Sequence, residues 1–495
     1  MNARTEPDPR QLVLPLQGVE SGPQNGLSIP RADRLFVNRN LRMTGIEWIG
    51  FDMDYTLAIY NQAAMDGLSI ELTVERMVRR GYPTYLKRLS YDTHFPIRGL
   101  LIDKVHGHVL KMDRHKVVHK GYHGLKRLPR ETVAELYHYK RIRPHTPRYH
   151  WIDTLFALSE VSSYAAIVDA LESRNERIDY DRLFRDVRES IDEAHADGTV
   201  YKVVTADLPR FVERDAELAR TLHKLRSAGK KLFMLTNSPW SYAERMMTYL
   251  LGGALPEYPS WRHFFEVAIC AAGKPAWFKE GRALMERDGD VLRNVRPPLE
   301  RGRLYEGGNL NEFERLVGVR GSNVLYVGDH IYGDILRSKK ESSWRTAMII
   351  QELDAEIAAY ESCRGEMARQ RQLDEARDHL EDELRFYQSR YKELTRQATN
   401  GSSLDAERVR VKRALERVRG ELRQNEREHD GIEERTDRRF HPYWGSLLKE
   451  GNEMSMFGFQ VDLYADVYTR RVSCLQHYSP QQFFRSPHDL MPHEL

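Results

Sequence analysis

The chain has 495 residues, enough to bury more than one core, because single cores stop growing at about 250–300 residues. It carries 76 basic and 73 acidic residues, a net charge of +3, so no global field draws it to nucleic acid or to an anionic membrane. An apolar fraction of 41% and an aromatic fraction of 10% exclude wholesale disorder, and no run of about 18 apolar residues offers a membrane span. Cys270, Cys363 and Cys474 lie too far apart for metal-ligand spacing and suit a reducing, cytoplasmic setting. The apolar stretch near the start is broken by Pro15 and is too short for a signal sequence.

Residues 1–35 are polar and rich in Pro and Gly, and read as a loosely ordered arm. A short apolar strand over 46–51 runs into Asp52. Residues 61–204, rich in Arg, Lys, His and Tyr and mostly helical in pattern, form an insertion placed to cap whatever lies at that strand end. A second strand, 231–235, follows a helical segment closed by Gly229 and leads to Thr236. A third, 265–270, leads to Lys274; a fourth, 323–327, to Gly328 and Asp329; a fifth spans 345–350. Apolar strands alternating with helices predict an α/β fold, a Rossmann-like parallel sheet covered on both faces, with ligands bound beyond the carboxyl ends. The core is assigned to 36–60, 205–352 and 437–485, and the tail to 486–495.

Residues 353–436 have a different pattern. Leu373, Leu380, Leu384, Tyr387, Tyr391 and Leu394 recur at heptad-like spacing, as do Val411, Leu415, Val418 and Leu422, with Asn400-Gly401-Ser402 as the turn between them. Two long antiparallel helices are predicted. They serve either as a surface hairpin packed on its own seam or as an arm joining protomers of a homo-oligomer. Their mixed charges argue against a nucleic-acid arm.

Four motifs carry chemistry. Asp52 and Asp54, two residues apart at the end of a buried strand, are costly unless they bind a cation or each other's partners, and magnesium suits carboxylate oxygens. With that charge neutralised, Asp52 can attack phosphorus as a nucleophile, and Asp54 can protonate the leaving alkoxide and later deprotonate water. A turn with two capping aspartates is the competing reading. Thr236, Asn237 and Ser238 offer hydroxyl and N–H donors to phosphate oxygens, or ordinary helix capping. Lys274, beside Pro275, would neutralise developing charge, or be merely solvated. Asp329 would complete a metal site, with Asp334 as ligand or orienting group, or as a helix cap. Gly328 and Gly333 would permit close approach of backbone to ion. There is no G-x-x-x-x-G-K-[ST] loop, which excludes a P-loop nucleoside triphosphatase.

In these motifs the chain resembles the haloacid dehalogenase superfamily: DMDYT (52–56), TNS (236–238), Lys274 and GDHIYGD (328–334). Together with GKPAWF, YEGGN, LRSKK and the terminal LMPHE they are similar to the cytosolic purine 5′-nucleotidases that prefer IMP and GMP, over roughly residues 35–495. The likeness is weakest in 353–436 and absent from the first 30 residues.

The resemblance implies a magnesium-dependent hydrolase acting on purine nucleoside monophosphates through a phospho-Asp52 intermediate, which could also pass its phosphoryl group to a second nucleoside. It implies that Phe156 stacks on the base and that Arg188 and Asp192 read it, with His195 on the same helix face. An exposed Arg188–Asp192 ion pair is the alternative for those two. A phosphate-facing lysine of the family falls at Tyr201, with Lys202 next to it as the substitute. Lys340 matches part of an effector region, but its C-terminal basic position falls at Leu463, which argues against effector control. Two further readings stay open: a phosphatase of the same chemistry acting on a sugar phosphate or phosphoprotein, and a non-catalytic nucleotide-binding scaffold.

Overall fold

A computed structural model of the chain describes residues 29–138, 142–279, 281–397 and 404–487. The chain meets the central sheet at Phe36–Val37 (β1) and at Trp48–Phe51 (β2), whose four residues are all buried. It then leaves for the insertion. There it forms Gln62–Arg79 (α1), the strands Leu100–Asp103 (β3), His108–Met112 (β4), Val118–His123 (β5), Lys126–Arg127 (β6) and Tyr149–Ile152 (β7), and the helices Leu158–Glu172 (α2), Tyr180–Ala196 (α3) and Thr199–Ala206 (α4). Back in the core come Lys231–Leu235 (β8), Trp240–Leu251 (α5), Val267–Cys270 (β9), the ribbon Leu284–Asp288 (β10) and Val291–Asn294 (β11), Leu304–Gly307 (β12), Val324–Gly328 (β13) and Arg345–Ile349 (β14). Helices Leu353–Ser362 (α6), Arg364–Gln397 (α7) and Leu404–Phe440 (α8) follow, and Met456–Tyr464 (α9) leads to Val467–Thr469 (β15).

The central sheet runs β1-β15-β14-β13-β2-β8-β9-β12-β10-β11. From β15 to β12 every pairing is parallel, and the antiparallel pairs sit at the two edges. This is the expected α/β core, a Rossmann-like parallel sheet. The chain builds outward from β2 in both directions, through β8, β9 and β12 on one side and β13, β14 and β15 on the other. The strand order therefore reverses between β2 and β13, and a crevice opens there at the carboxyl edge. Val327 lies opposite Phe51 in register, and the Asp52 N–H donates to the Val327 carbonyl at 2.9 Å. Asp52 and Asp329 are thus side by side at the switch point.

The five expected strands are β2, β8, β9, β13 and β14. Two more parallel strands, β12 and β15, four and three residues long, are not among those expected. The insertion requires a correction. Helices α1 to α4 occur, but residues 100–152 form a five-stranded antiparallel sheet in the order β6-β5-β4-β3-β7. Buried charges disguise its strands: Asp103, Lys111 and Lys120 all point inward. Lys111 pairs with Glu450 at 2.6 Å, and Lys120 with Asp437 and Glu450 at 2.7 and 2.9 Å. Partners more than 300 residues away leave no local signal.

The same contacts tie part of the expected core to the insertion. Trp444 packs between Phe95 and Tyr122 and donates its indole N–H to the Phe95 carbonyl at 2.6 Å. Asp113 bridges Ser455 across strands. Residues 441–456 therefore bridge the two: Trp444 packs on the insertion's sheet, while Leu447 is buried in the core with Ile331, Ile335 and Met348. The arm assigned to 1–35 falls mostly outside the described residues, but its end is docked: Leu35 is buried and Arg470 pairs with Asp33. Helices α7 and α8 pack antiparallel, with Leu373, Leu394, Val411, Leu415 and Val418 buried in the seam. Arg390–Glu407 and Arg369–Glu428 ion pairs link them. The Asn400-Gly401-Ser402 turn and LMPHE lie outside the described residues. Among the described residues no helix is long and apolar enough to cross a membrane.

Candidate active site

The floor of the crevice is a set of strand ends. Asp52 follows β2, Thr236 follows β8, Asp329 follows β13, and Lys274 lies on the loop after β9. Asp52, Asp329 and Asp334 are buried, and a ligand oxygen from each lies within 4.8 Å of the others. Lys274 Nζ sits between two of them, 2.8 Å from Asp52 Oδ1 and 2.7 Å from Asp334 Oδ1, and donates to the Tyr326 hydroxyl at 3.1 Å. Burial pushes the Asp52 carboxyl well above its usual range, opposed by Lys274 and reinforced by Asp334. Burial does the same to Asp329, with Asp334 adding to it. Burial would lower Lys274, but Asp334 and Asp52 together hold it well above the usual lysine range. Three clustered carboxylates facing one ammonium leave surplus negative charge. An all-oxygen donor set of this kind fits a hard divalent cation such as magnesium.

Asp54 is not part of that carboxylate cluster, although it was expected among the metal ligands. Its Oδ1 accepts from the Tyr60 hydroxyl at 2.6 Å, and its Oδ2 from Ser238 Oγ at 2.8 Å and Thr236 Oγ1 at 3.3 Å. Three hydroxyls turn it away from the other acids, toward the open side of the crevice. Burial raises its pKa, and the Tyr60 and Ser238 hydrogen bonds partly offset this. Asn237 clamps the lysine loop: its amide donates to the Lys274 carbonyl at 2.9 Å and its Oδ1 accepts from the Lys274 N–H at 2.6 Å. Gly328 allows Asp334 to lie against the β13 end, since a Cβ there would sit 2.6 Å from Asp334 Cβ.

Above the floor a cavity of about 380 Å³ opens between core and insertion. Its lining includes Asp54, Ser238, Phe156, Arg188, Asp192 and His195. Of the expected catalytic residues Asp54 and Asn237 share this space with the base-reading ones, while Asp52, Thr236 and Lys274 are not part of its lining. Thr154 caps the short turn that presents Phe156, whose ring is 36% exposed. Arg188 and Asp192 lie one turn apart on α3, 3.8 Å from each other, so the expected i,i+4 pair also exists. The Arg188 guanidinium is held from below by His150 at 2.9 Å and by the buried Glu160 at 3.4 Å. Lys202 does not reach the cavity. On α4 it points to solvent, while Tyr201 lines the cavity and its ring rests on Tyr242, 4.6 Å away. One residue of helix turns a side chain by about 100°, so the neighbouring lysine cannot replace the charge.

Several site residues carried no sequence signal. Tyr60 sits just past the DMDYT motif and Tyr242 within PWSYAERM, yet nothing local marks Tyr60 as a partner of Asp54 or Tyr242 as the hydroxyl 2.8 Å from that of Tyr60. Arg98, 1% exposed, donates to the Asp329 carbonyl at 2.9 Å and grips Glu352 with two bonds, at 2.8 and 2.6 Å. It is a lone arginine in sequence, visible only once the insertion is folded over the core.

The sequence model of the 5′ nucleotidase family matches residues 35–495. A 5′-nucleotidase domain-containing protein of Dictyostelium discoideum is 29% identical over 472 residues, which cover 93% of this chain and 74% of that protein. Human 5′-nucleotidase domain-containing protein 2 is 28% identical over 478 residues, covering 93% of this chain and 85% of that one. Among solved structures, a predicted phosphoglycolate phosphatase from Haemophilus somnus aligns with 15% identity and a TM-score of 0.26, over 62% of this chain and 86% of its own. At that TM-score the likeness adds nothing to the fold seen directly in the sheet.

Proposed function

Since this chain belongs to the 5′-nucleotidase family and is a phosphoric monoester hydrolase, we propose that it hydrolyses purine ribonucleoside 5′-monophosphates, IMP and GMP before others. The observation that carries this reading is the single cavity joining Asp54 to Phe156, Arg188 and Asp192. Its volume is in the range of small-molecule sites.

Asp52, Asp329 and Asp334 would hold magnesium, which when bound neutralises charge on the phosphoryl oxygens and keeps Asp52 ionised. Asp52 then attacks phosphorus and forms an aspartyl-phosphate. Lys274, fixed in place by Asn237, offsets negative charge on the transferring group. Asp54, oriented by three hydroxyls, gives a proton to the departing 5′-oxygen and later takes one from the attacking water. A nucleoside 5′-hydroxyl in place of that water would give phosphotransfer.

Phe156 offers its exposed ring to the base. Arg188 donates to a 6-oxo group, and Asp192 accepts from N1–H or a 2-amino group. AMP would set an amino donor against the Arg188 donors, leaving groups unpaired in a partly dry pocket, a strong basis for rejection. The three cysteines are buried and unpaired, which suits a cytoplasmic enzyme acting on free nucleotides.

Steady-state phosphate release from IMP, GMP, AMP, CMP and ribose 5-phosphate, with magnesium and with chelator, tests the proposal. IMP and GMP should lead, and chelation should stop turnover. Equal rates on all five, or none on IMP, would overturn the purine assignment.

A further inference from the structure

Resting on the proposed function, we infer that Tyr55 is a positioning and specificity residue that couples a base bound at Phe156 to the placement of Asp54. Tyr55 follows Asp54 directly and has φ of +55°, a left-handed conformation that bulky side chains rarely adopt. Glycine would take this conformation without strain, so a buried tyrosine here, 1% exposed, is held by its surroundings. Two contacts do this. Gln351 Nε2 donates to the Tyr55 carbonyl at 3.0 Å, and the ring is wedged between two others.

Those two rings belong to different parts of the site. Tyr60 lies 4.9 Å from Tyr55, and its hydroxyl holds Asp54 Oδ1. Phe156 meets Tyr55 edge-on at 4.6 Å and 82°. The Phe156 turn is itself tied down, because Gln62 Nε2 donates to the Leu155 carbonyl at 3.0 Å. Tyr60 and Phe156 both line the cavity, and Phe156, 36% exposed against 4% for Tyr60, is much the more open of the two. A base stacked on Phe156 presses on the cluster that carries Asp54. Tyr55 belongs to the acid/base loop by its backbone and to the base pocket by its ring, so the geometry joins the two in one rigid group. A substrate with a base should then gain in kcat as well as in KM, whereas a phosphate ester lacking one gains neither.

The test compares kcat and KM for IMP and for ribose 5-phosphate in the wild type, Tyr55→Gly and Tyr55→Phe. Tyr55→Gly relieves the backbone and removes the ring. It should lower kcat for IMP at least tenfold more than kcat for ribose 5-phosphate, while Tyr55→Phe, which keeps the ring, retains the wild-type ratio. Phe156→Leu gives a second reading that does not depend on the glycine variant folding, and should lose the same kcat advantage. If Tyr55→Gly slows both substrates by one factor, or Phe156→Leu changes only KM, the coupling is overturned. A wild type with equal kcat on both phosphates would overturn the substrate assignment and this inference together. A wild type that prefers IMP while the variants keep its preference would overturn the inference alone.

Discussion

The floor of the crevice and the pocket above it are built to different standards. On the floor, Asp52, Asp329 and Asp334 are buried with the Lys274 side chain, which pairs with Asp52 and Asp334 within the same small volume. In the pocket, Arg188 and Asp192 have side chains 43% and 66% exposed, and their mutual contact is long. Charge transfer needs preorganised groups in a dry site, since an unpaired buried charge is costly. Reading a base needs donors and acceptors still free to bond to a ligand. On the proposed function, the difference teaches that reaction type lies in the buried floor, and choice of substrate in a more exposed rim that a few substitutions can retune.

The comparison breaks most sharply at Asp52. Asp52→Asn should lower phosphate release from every substrate by about 10⁴-fold or more, as loss of a nucleophile does elsewhere. Circular dichroism should show the fold retained, and surviving turnover would remove the covalent route.

Asp66 is a buried acid away from the floor, with no ion pair among the described residues. It is 2% exposed, accepts from Gln62 at 3.0 Å, and its Oδ2 has no hydrogen-bond partner among the described residues. Burial raises its folded pKa to about 7, with the Gln62 bond opposing. The unfolded chain loses that proton at about pH 4. Between these values the folded state holds a proton that the unfolded state does not. Stability therefore falls as pH rises from about 4 to about 7 and levels off above. Asp66→Asn should remove that slope and stabilise the protein at pH 8 by on the order of 2–4 kcal/mol, with little gain at pH 4. Urea unfolding at both pH values checks it, and an equal gain at both would refute the assignment.

In the pocket, Arg188→Ala should lower kcat/KM for IMP by about 10- to 150-fold, the worth of one charged hydrogen bond at roughly 1.5–3 kcal/mol. The loss for ribose 5-phosphate should be smaller. Equal losses would make Arg188 a mere partner of His150 and Glu160. The smallest effect is expected at Lys202, whose side chain lies outside the cavity. Lys202→Ala should shift stability and the IMP rate by less than about 0.5 kcal/mol, as exposed sites do. A tenfold loss on IMP would put that lysine back at the phosphate.

What was legible in the sequence follows from contiguity. Each floor residue is a few positions beyond an apolar strand, and parallel strands bring their carboxyl ends to one edge. Strand, motif and site therefore come together without knowledge of any long-range contact. Phe156, Arg188, Asp192 and His195 were reached through resemblance, and the structure sets them on the same cavity as Asp54. The residues that escaped are those whose meaning depends on a distant partner: Tyr60 and Tyr242 around Asp54, Glu160 under Arg188, and Arg98 locked to Glu352. The insertion's sheet escaped for the same reason, because Lys111 and Lys120 look like surface residues until Glu450 arrives to pair with them.

The sequence by itself determined an α/β core with its acids and lysine at one sheet edge, because hydrophobic period and motif order are local properties of the chain. Tertiary structure alone decided which acids share a cation-sized space, that Asp54 turns away to three hydroxyls, and that Tyr201 rather than Lys202 faces the cavity. Those are questions of direction, and a side chain's direction is settled by helix phase and by what packs against it.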